Sequence, residues 1–361
     1  LAPSRNRYVK CIGTGLNPMP ELRRSVVTLI IGGLGALIAM ALSMPVALLA
    51  GPAVAVAIAG LRGIDTGIAP QLRNAGFLLV GLSIGSLIGP DSIQAMIRWP
   101  IAFSLLAILT FATPWIGRWL VPRMLPFGKD EAFLAAAPGH LSLVIALADS
   151  LSLSLTRPVV LASIRLMVLT LVVPLAARAA GMDIGPGLPS GAVSTSWTWV
   201  VAQIAAALAL SPVLHWLKLP APTLLSGILV AAATHLSSVT TGTLPNWLAQ
   251  GSLVLMGSLI GTRFSGMSWR ELRHSLFAGL SIIALTSGLA VLFAIPAAQL
   301  SGLPIMDVLL GFAPGGLETM IIVAAAVGAD PSFVAAAHVF RLLILAIILT
   351  SYATNLHRKT R

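Results

Sequence analysis

A Pro-Gly-Gly break followed by a carboxylate interrupts a long apolar run near the C-terminal end of this chain. The segment reads Ala-Pro-Gly-Gly-Leu-Glu-Thr-Met at 313–320, inside an apolar stretch that extends from 306 to 327. Within a bilayer, backbone freed by proline and glycine is tolerated only where it is buried in protein or lines a cavity. A carboxylate at that depth is costly and marks a functional site by default. The segment therefore predicts a broken membrane helix that carries a binding site.

A second Pro-Gly segment, Ala-Pro-Gly-His-Leu-Ser at 137–142, lies in the apolar run 133–147, and the two prolines are separated by 314 − 138 = 176 positions. Other landmarks keep the same offset: Gly51 and Gly227, Gly81 and Gly257, Gly85 and Gly261, Arg165 and Arg341. Glycines, Pro-Gly breaks and a membrane arginine all stay in register, so chance is a poor explanation. The chain is therefore predicted to be an internal duplication, with residues 24–176 repeated as 200–352.

Composition indicates an all-α polytopic membrane protein. The chain is 57% hydrophobic and only 9% charged, whereas soluble domains carry about 25% charged residues. The formal charge of +11 comes from cations in short loops and at the two ends, which is typical of signals that keep a loop in the cytoplasm. We therefore expect no direct nucleic-acid partner. The single cysteine, Cys11, excludes an intrachain disulfide and gives no metal cluster.

The predicted organisation has five parts. A cytoplasmic lead-in (1–24) precedes a first membrane repeat (25–180), a linker rich in Gly, Pro and Ser (181–198), a second membrane repeat (199–354) and a basic cytoplasmic tail (355–361). Apolar segments are predicted at 25–42, 45–61, 76–88, 101–121, 133–147 and 159–177, and again at 200–216, 223–236, 253–264, 276–295, 308–327 and 332–352.

The basic residues predict how the segments cross the membrane. If all six segments of each half crossed, then Arg263, Arg270 and Arg273 would lie outside, against the positive-inside rule. If each Pro-Gly segment instead enters and leaves on one side, each half crosses five times and the second half is inverted. These arginines and both termini then lie in the cytoplasm, with Arg98 and Arg178 as exceptions. The sequence thus favours inverted repeats, each with five crossings and one broken or re-entrant segment, and a periplasmic linker at 181–196.

The duplicated pattern combines a Leu-Leu-x-Gly helix, a Gly-x-x-x-Gly helix, an Ala-Pro-Gly-Gly-Leu-x-x-Met segment and an Arg-Leu-Leu helix. In this combination the chain resembles the bacterial AbrB-type membrane protein family over residues 25–352. Segment 313–320 matches the family motif, whereas 137–143 departs from it at His140 and lacks the acidic residue that such copies often carry. Proteins of that family have been labelled ammonia monooxygenases, regulators of gene expression and transporters. The resemblance implies a protein of the bacterial inner membrane.

The candidate substrate- or ion-binding residues lie at the two breaks and in the helices that follow them: Pro138, Gly139, His140, Ser142, Arg165, Pro314, Gly315, Gly316, Glu318, Thr319 and Arg341. A lone charge in hydrocarbon needs a partner or water. We expect Glu318 to carry the coupling proton or cation, with Arg341 as its counter-charge. Because Ser142 stands where the second repeat has Glu318, we expect Arg165 to contact an anionic substrate. The alternative is that both arginines snorkel or bond to broken-helix carbonyls.

Other polar and glycine positions have simpler interpretations. His140 either carries a proton or caps carbonyls freed by the break. His338 lies three residues before Arg341 and is expected to be packed or hydrogen-bonded. The two Gly-x-x-x-Gly pairs are typical of close helix packing. The aspartates near segment ends are expected at the interface or as caps: Asp149, Asp307 and Asp330.

The pattern favours a transporter over an enzyme. Inverted repeats with discontinuous helices are the common plan of secondary transporters, whereas membrane oxygenases need converging histidines or carboxylates. No two of the six histidines are spaced three or four apart, and no nucleotide-binding or nucleophile motif is present. We expect no catalytic residue, metal or cofactor, and an ion- or proton-coupled carrier of a small, anionic solute, with homo-oligomerisation left open. The alternative is a membrane sensor that affects gene expression through a partner.

Overall fold

The computed structural model describes residues 18–86, 88, 99–137, 156–182, 184–188, 194–217, 221–240 and 242–359, without the side chains of 18–20, 156–159, 318, 346, 349–350 and 353–359. Within these residues the chain forms thirteen α-helices and no strand, apart from an isolated bridge between Ser194 and Thr243. The helices are α1 (Pro18–Ala41), α2 (Ala47–Leu61), α3 (Pro70–Gly85), α4 (Trp99–Met124), α5 (Lys129–Ala136), α6 (Thr156–Ala179), α7 (Trp197–Trp216), α8 (Pro222–Leu236), α9 (Asn246–Gly261), α10 (Trp269–Ser301), α11 (Ile305–Phe312), α12 (Leu317–Val327) and α13 (Pro331–Lys359).

The membrane character predicted from composition agrees with the helix lengths. Among the described residues, α1, α4, α6, α7 and α10 contain stretches that are long and apolar enough to cross a membrane. Helices α2 and α8 are shorter but also apolar. About 20 apolar residues are needed to span the hydrocarbon core, so these five helices are candidates to cross a membrane by length and composition.

Helix bounds repeat along the chain at the predicted offset. Helix α9 begins and ends 176 positions after α3, and α11 begins and ends 176 positions after α5. The other pairs, α1 with α7, α2 with α8, α4 with α10 and α6 with α13, agree within a few residues at one or both ends. The same helix pairs also pack on each other in both halves, since α3 lies against α8 as α9 lies against α2.

The Gly-x-x-x-Gly pairs form these reciprocal contacts. A Cβ added at Gly81 would overlap the carbonyl oxygen of Leu224, and one added at Gly257 would overlap that of Leu49. Only glycine lets two helix backbones approach so closely. The predicted packing role of these glycines is therefore confirmed.

Helices α4 and α10 hold equivalent positions and run in opposite directions. Near the C-terminal end of α4, Val121 packs in one apolar cluster with Ala278 and Ile282 from the N-terminal half of α10. Farther along, Thr110 and Thr286 line a common cavity. Residue numbers therefore increase along α4 in the direction in which they decrease along α10, so the two helices are antiparallel.

Some helices extend beyond the predicted apolar runs. Helix α1 begins at Pro18, inside the predicted lead-in, and α10 covers 33 residues where 276–295 was expected. A capping box explains the early start of α10, because the Ser268 hydroxyl accepts from the Glu271 amide and the Glu271 carboxylate accepts from the Ser268 amide. Gly302, at φ 66°, ends the helix in the left-handed region.

Candidate functional site

The second Pro-Gly segment lies between two short helices. Helix α11 ends at Phe312 and α12 begins at Leu317, while Ala313 and Gly316 have extended backbone with ψ of 137° and 142°. The intervening residues leave the helical hydrogen-bond pattern, so their carbonyl oxygens need other donors. This part of the chain is buried, and those donors must come from protein.

Arg341 supplies the donors. Its guanidinium is 2% exposed and lies against the break, where Nη1 donates to the carbonyl oxygens of Ala313 at 2.7 Å and Phe312 at 3.4 Å. Nη2 donates to the carbonyl of Gly315 at 3.5 Å. Charge-assisted hydrogen bonds are the strong ones, so the arginine fixes the shape of the break while the carbonyl dipoles stabilise its charge.

The first repeat makes the equivalent contact. Arg165 is 9% exposed, and its Nη1 donates to the carbonyl oxygen of Ala137 at 3.3 Å. Ala137 precedes the first Pro-Gly pair as Ala313 precedes the second, and the two arginines keep the same offset. The two guanidinium groups are also close enough to repel each other electrostatically. Each arginine therefore binds the carbonyl oxygen of the alanine that precedes a Pro-Gly pair.

These contacts match the alternative in which the arginines bond to broken-helix carbonyls. Among the described side chains Arg341 has no carboxylate partner, and the Glu318 side chain lies outside that set, so the expected pairing of the two stays a prediction. Thr319, 3% exposed, is buried in the first turn of α12. The other candidates in the first break lie outside the described residues: Pro138, Gly139, His140 and Ser142.

His338 is fully buried and bonded to the same arginine, as expected. Its Nδ1 lies 3.2 Å from Nη2 of Arg341. Because a guanidinium can only donate, Nδ1 is the acceptor and Nε2 carries the proton of the neutral ring. Nε2 itself has no hydrogen-bond partner among the described atoms. The first repeat has Ala162 at this position, so the histidine is peculiar to the second repeat.

The two ends of the helix–break–helix segment meet each other. Oδ1 of Asp307, in the first turn of α11, accepts a hydrogen bond from the backbone amide of Asp330 at 3.0 Å. Oδ1 of Asp330 in turn accepts from the amide of Ser332 at 2.8 Å, at the start of α13. Asp330 therefore caps the start of α13, as predicted. Asp307 binds the amide of that cap residue from another helix, and Asp149 lies outside the described residues.

A small cavity opens beside the break, between α4 and α10. Its volume is about 10 Å³, and it is lined by Leu109, Thr110, Thr113, Thr286, Phe312, Pro314 and Arg341. Each threonine hydroxyl donates to a backbone carbonyl of its own helix, at 2.6 Å from Thr110, 2.7 Å from Thr113 and 2.8 Å from Thr286. Sequence reasoning missed these residues, although Thr110 and Thr286 are themselves 176 positions apart.

A polar cluster ties the first repeat's short helix α5 to its neighbours. Nε of Arg118 donates to the Tyr352 hydroxyl at 3.0 Å, and that hydroxyl donates to Oδ1 of Asp130. Arg118 also pairs with Asp130 at 3.5 Å. The ring of Tyr352 stacks on Phe133 with centroids 4.0 Å apart. Helices α4, α5 and α13 are thus joined at one point. Within the described residues, no group of three or more His, Cys, Asp or Glu is placed to hold a metal ion.

Comparison with known proteins agrees with the resemblance seen in the sequence. The family model described as "Transition state regulatory protein AbrB" matches residues 48–356. An Escherichia coli (strain K12) protein named "Putative regulator AbrB" is 24% identical over 330 residues, which cover 87% of this chain and 90% of that protein. A Bacillus subtilis (strain 168) protein named "Uncharacterized protein YhjN" is 23% identical over 306 residues, 78% of each chain. Since the family model covers most of the sequence, the chain belongs to the AbrB family.

Proposed function

We propose that this protein is a secondary transporter of a small anionic solute, built from two inverted repeats in the bacterial inner membrane. The proposal has three supports: the placement of equivalent loops, the path of the broken segment, and the charge of the region where the breaks converge.

Equivalent loops lie at opposite ends of α1. The loop after α2 is held at the N-terminal end of α1, where Arg24 pairs with Asp65 at 2.6 Å. The loop after α8, which is equivalent by sequence, is held by the linker, because the amide of Thr195 donates to the carbonyl of Thr243 at 2.9 Å. The linker in turn meets the start of α2, where the amide of Val46 donates to the carbonyl of Gly185 at 3.0 Å. A two-fold axis in the membrane plane would produce this arrangement.

Basic residues concentrate at the end that holds Arg24. The amide of Thr66 donates to the Ser265 hydroxyl at 3.2 Å, which brings the turn between α9 and α10 to the same end. The arginines of these helix ends and loops are Arg23, Arg24, Arg62, Arg73, Arg263, Arg270 and Arg273. Arg178, at the linker end, is the exception. The positive-inside rule assigns the basic end to the cytoplasm and the linker to the periplasm.

The segment Ile305–Phe312, break and Leu317–Val327 is proposed to be re-entrant. The amide of Asp330, just after the segment, donates to Asp307 in its first turn, while its middle contacts Arg341 in the interior. A segment that crossed the membrane could not bring both ends to one side. The path therefore favours entry and exit on the periplasmic side, as the charge pattern predicted.

A site at the meeting point of two broken segments suits alternating access. Movement of one repeat against the other would expose the region between the breaks first to one side and then to the other. Buried Arg165 and Arg341 favour an anion there, and the positive end of α12 adds to this field. Glu318, two residues after the break, is proposed to carry the coupling proton or cation. We propose no catalytic step for this chain.

The observation that carries the proposal is the matched pair of contacts from Arg165 to Ala137 and from Arg341 to Ala313. A buried cation in a bilayer costs free energy, and the carbonyl dipoles that hold each arginine leave its positive charge uncancelled. Two buried cations suit a protein whose ligand brings negative charge.

Reconstituted uptake tests the transport function. Purified protein in proteoliposomes is expected to accumulate radiolabelled formate or acetate, and to do so more strongly when a proton gradient is imposed. Liposomes without protein give the background. Uptake equal to that background, with correctly inserted protein and across a wider panel of small anions, would contradict the proposal.

A regulatory role is the alternative, because the family description and the name of the Escherichia coli relative both refer to regulation. In that case the same pocket would sense a solute, and the signal would reach gene expression through a partner protein. Ligand binding without uptake, together with a ligand-dependent partner, would favour this alternative.

A further inference from the structure

The cavity between α4 and α10 is lined by one pair of residues that are equivalent in the two repeats. Thr110 and Thr286 are equivalent residues, one from each repeat, and they approach the cavity from antiparallel helices. A point that equivalent residues reach from both sides lies close to the axis that relates the repeats. In inverted-repeat transporters such a point is common to both access states.

The charge near the cavity is positive. Arg341 lines it directly, and Arg165 is close enough to repel Arg341. Arg341 already donates from both terminal nitrogens to Ala313, Gly315 and His338, but its buried Nε has no partner among the described atoms. Carbonyl dipoles stabilise a guanidinium without cancelling its charge, so the cavity retains attraction for an anion.

The threonine hydroxyls can change hydrogen-bond partner without leaving another polar group without a hydrogen bond. Each hydroxyl proton of Thr110, Thr113 and Thr286 now points to a carbonyl of its own helix. Those carbonyls lie within regular helix, where they also accept from a backbone amide. Rotation about the Cβ–Oγ bond would redirect each proton into the cavity and leave the carbonyl satisfied. Three donors are thus available to a ligand and cost little when it leaves.

We infer that this cavity is a binding site for the head group of a small monocarboxylate, with Thr110 and Thr286 each donating to one carboxylate oxygen. The inference rests on the transport function proposed above and names its substrate class. A carboxylate has two equivalent acceptor oxygens, which match two equivalent hydroxyls. The remaining lining of Leu109, Phe312 and Pro314 is apolar and suits a short alkyl group or hydrogen. A volume of about 10 Å³ holds one water-sized group in this conformation, so a carboxylate enters only when α4 and α10 separate, as the movement of the repeats proposed above allows.

Ligand-dependent thermal unfolding in lipid nanodiscs tests the site. Sodium formate and sodium acetate, compared with sodium chloride at equal ionic strength, are expected to raise the Tm of the wild-type protein. In the double variant Thr110→Val and Thr286→Val, affinity for formate should fall at least about tenfold for each hydroxyl lost, because hydrogen bonds to a charged group are strong. The double variant Thr110→Ser and Thr286→Ser keeps the hydroxyls and should retain binding.

Thr170→Val is the matched control. Thr170 is fully buried on α6, and its hydroxyl donates to the carbonyl of Leu166 at 2.7 Å, but it does not line the cavity. Its replacement should leave formate affinity unchanged. Wild-type affinity in the valine double variant would overturn the site, and equal stabilisation by chloride and formate would overturn the carboxylate assignment. Binding that is lost in the valine variant but unaccompanied by uptake in proteoliposomes would support the site and contradict the transport function.

Discussion

The two predicted repeats are alike in their scaffold and differ in the residues beside their Pro-Gly segments. Helices α3 and α9 have the same bounds at the offset of 176, and their glycines make equivalent backbone contacts. Beside the Pro-Gly segments, both halves place an arginine on the carbonyl oxygen of the preceding alanine, but His140 and Ser142 stand where the second half has Gly316 and Glu318. Packing thus constrains both copies equally, whereas the chemistry beside each break has diverged.

Because of this divergence, different contacts hold the equivalent short helices α5 and α11. On the proposed cytoplasmic side, α5 is held by Arg118, Asp130 and Tyr352 through side chains. On the periplasmic side, α11 is held by the bond from the Asp330 amide to Asp307. His338 supports only the second arginine. In the proposed transporter, these unlike contacts are expected to make the opening rates of the two sides differ.

The largest effect is expected from the scaffold glycines. Gly257→Leu and Gly81→Leu should each abolish folding or cost about 4 kcal/mol or more, because the new side chain would force two helix backbones apart. If the scaffold is symmetric, the two losses should be similar. Gly288→Leu is the control, since a Cβ at that exposed position meets nothing within 4 Å. Size-exclusion profiles and thermal unfolding in detergent measure all three, and near-normal stability of Gly257→Leu would contradict the packing account.

A large functional effect with little loss of fold is expected from Gly315→Leu. A Cβ there would lie 2.6 Å from Cγ of Met320, a flexible side chain that can move, so the protein should still insert. The bulky residue should nevertheless restrict the break and block close approach of a ligand, and uptake should fall to background. Wild-type uptake in this variant would show that the Pro-Gly segment is only a helix kink with no role in transport.

Glu318→Gln tests the acidic difference between the repeats. The change keeps shape and removes the charge, so uptake should lose its dependence on the proton gradient while formate binding stays measurable. Glu271→Gln, at the capping box of α10, is the matched control and should leave coupling intact. Fully coupled uptake by Glu318→Gln would rule out the assignment of Glu318 as the coupling group.

The smallest effect is expected at the cytoplasmic end of the first repeat. Tyr352→Phe removes the hydroxyl that joins Arg118 to Asp130 but keeps the ring stacked on Phe133. The stability loss should be about 1–2 kcal/mol, and the ratio of inward to outward transport rates should change. An unchanged ratio would show that this cluster only stabilises the fold.

The sequence was most informative where physical constraints are strict. Glycine spacing, the Pro-Gly break and membrane arginines each have few structural solutions in a bilayer, so the family, the helical class and the packing of Gly81 and Gly257 could be predicted. The carbonyl contacts of Arg341 stood only as an alternative, because sequence does not tell whether a buried cation is satisfied by an acid or by backbone. The pair Thr110 and Thr286 was missed because threonine is common in apolar helices and gives no signal until both copies are aligned.

Cysteine labelling of equivalent loops tests the inverted repeat most directly. Ile64 and Val239 are 43% and 48% exposed in the loops after α2 and α8, and both can be replaced by cysteine in a Cys11→Ser background. In intact spheroplasts, a membrane-impermeant maleimide should label Val239→Cys and a linker variant, Ser190→Cys, while Ile64→Cys should react only after the membrane is opened. Labelling of Ile64→Cys and Val239→Cys from the same side would contradict the inversion, and with it the proposed site between the two breaks.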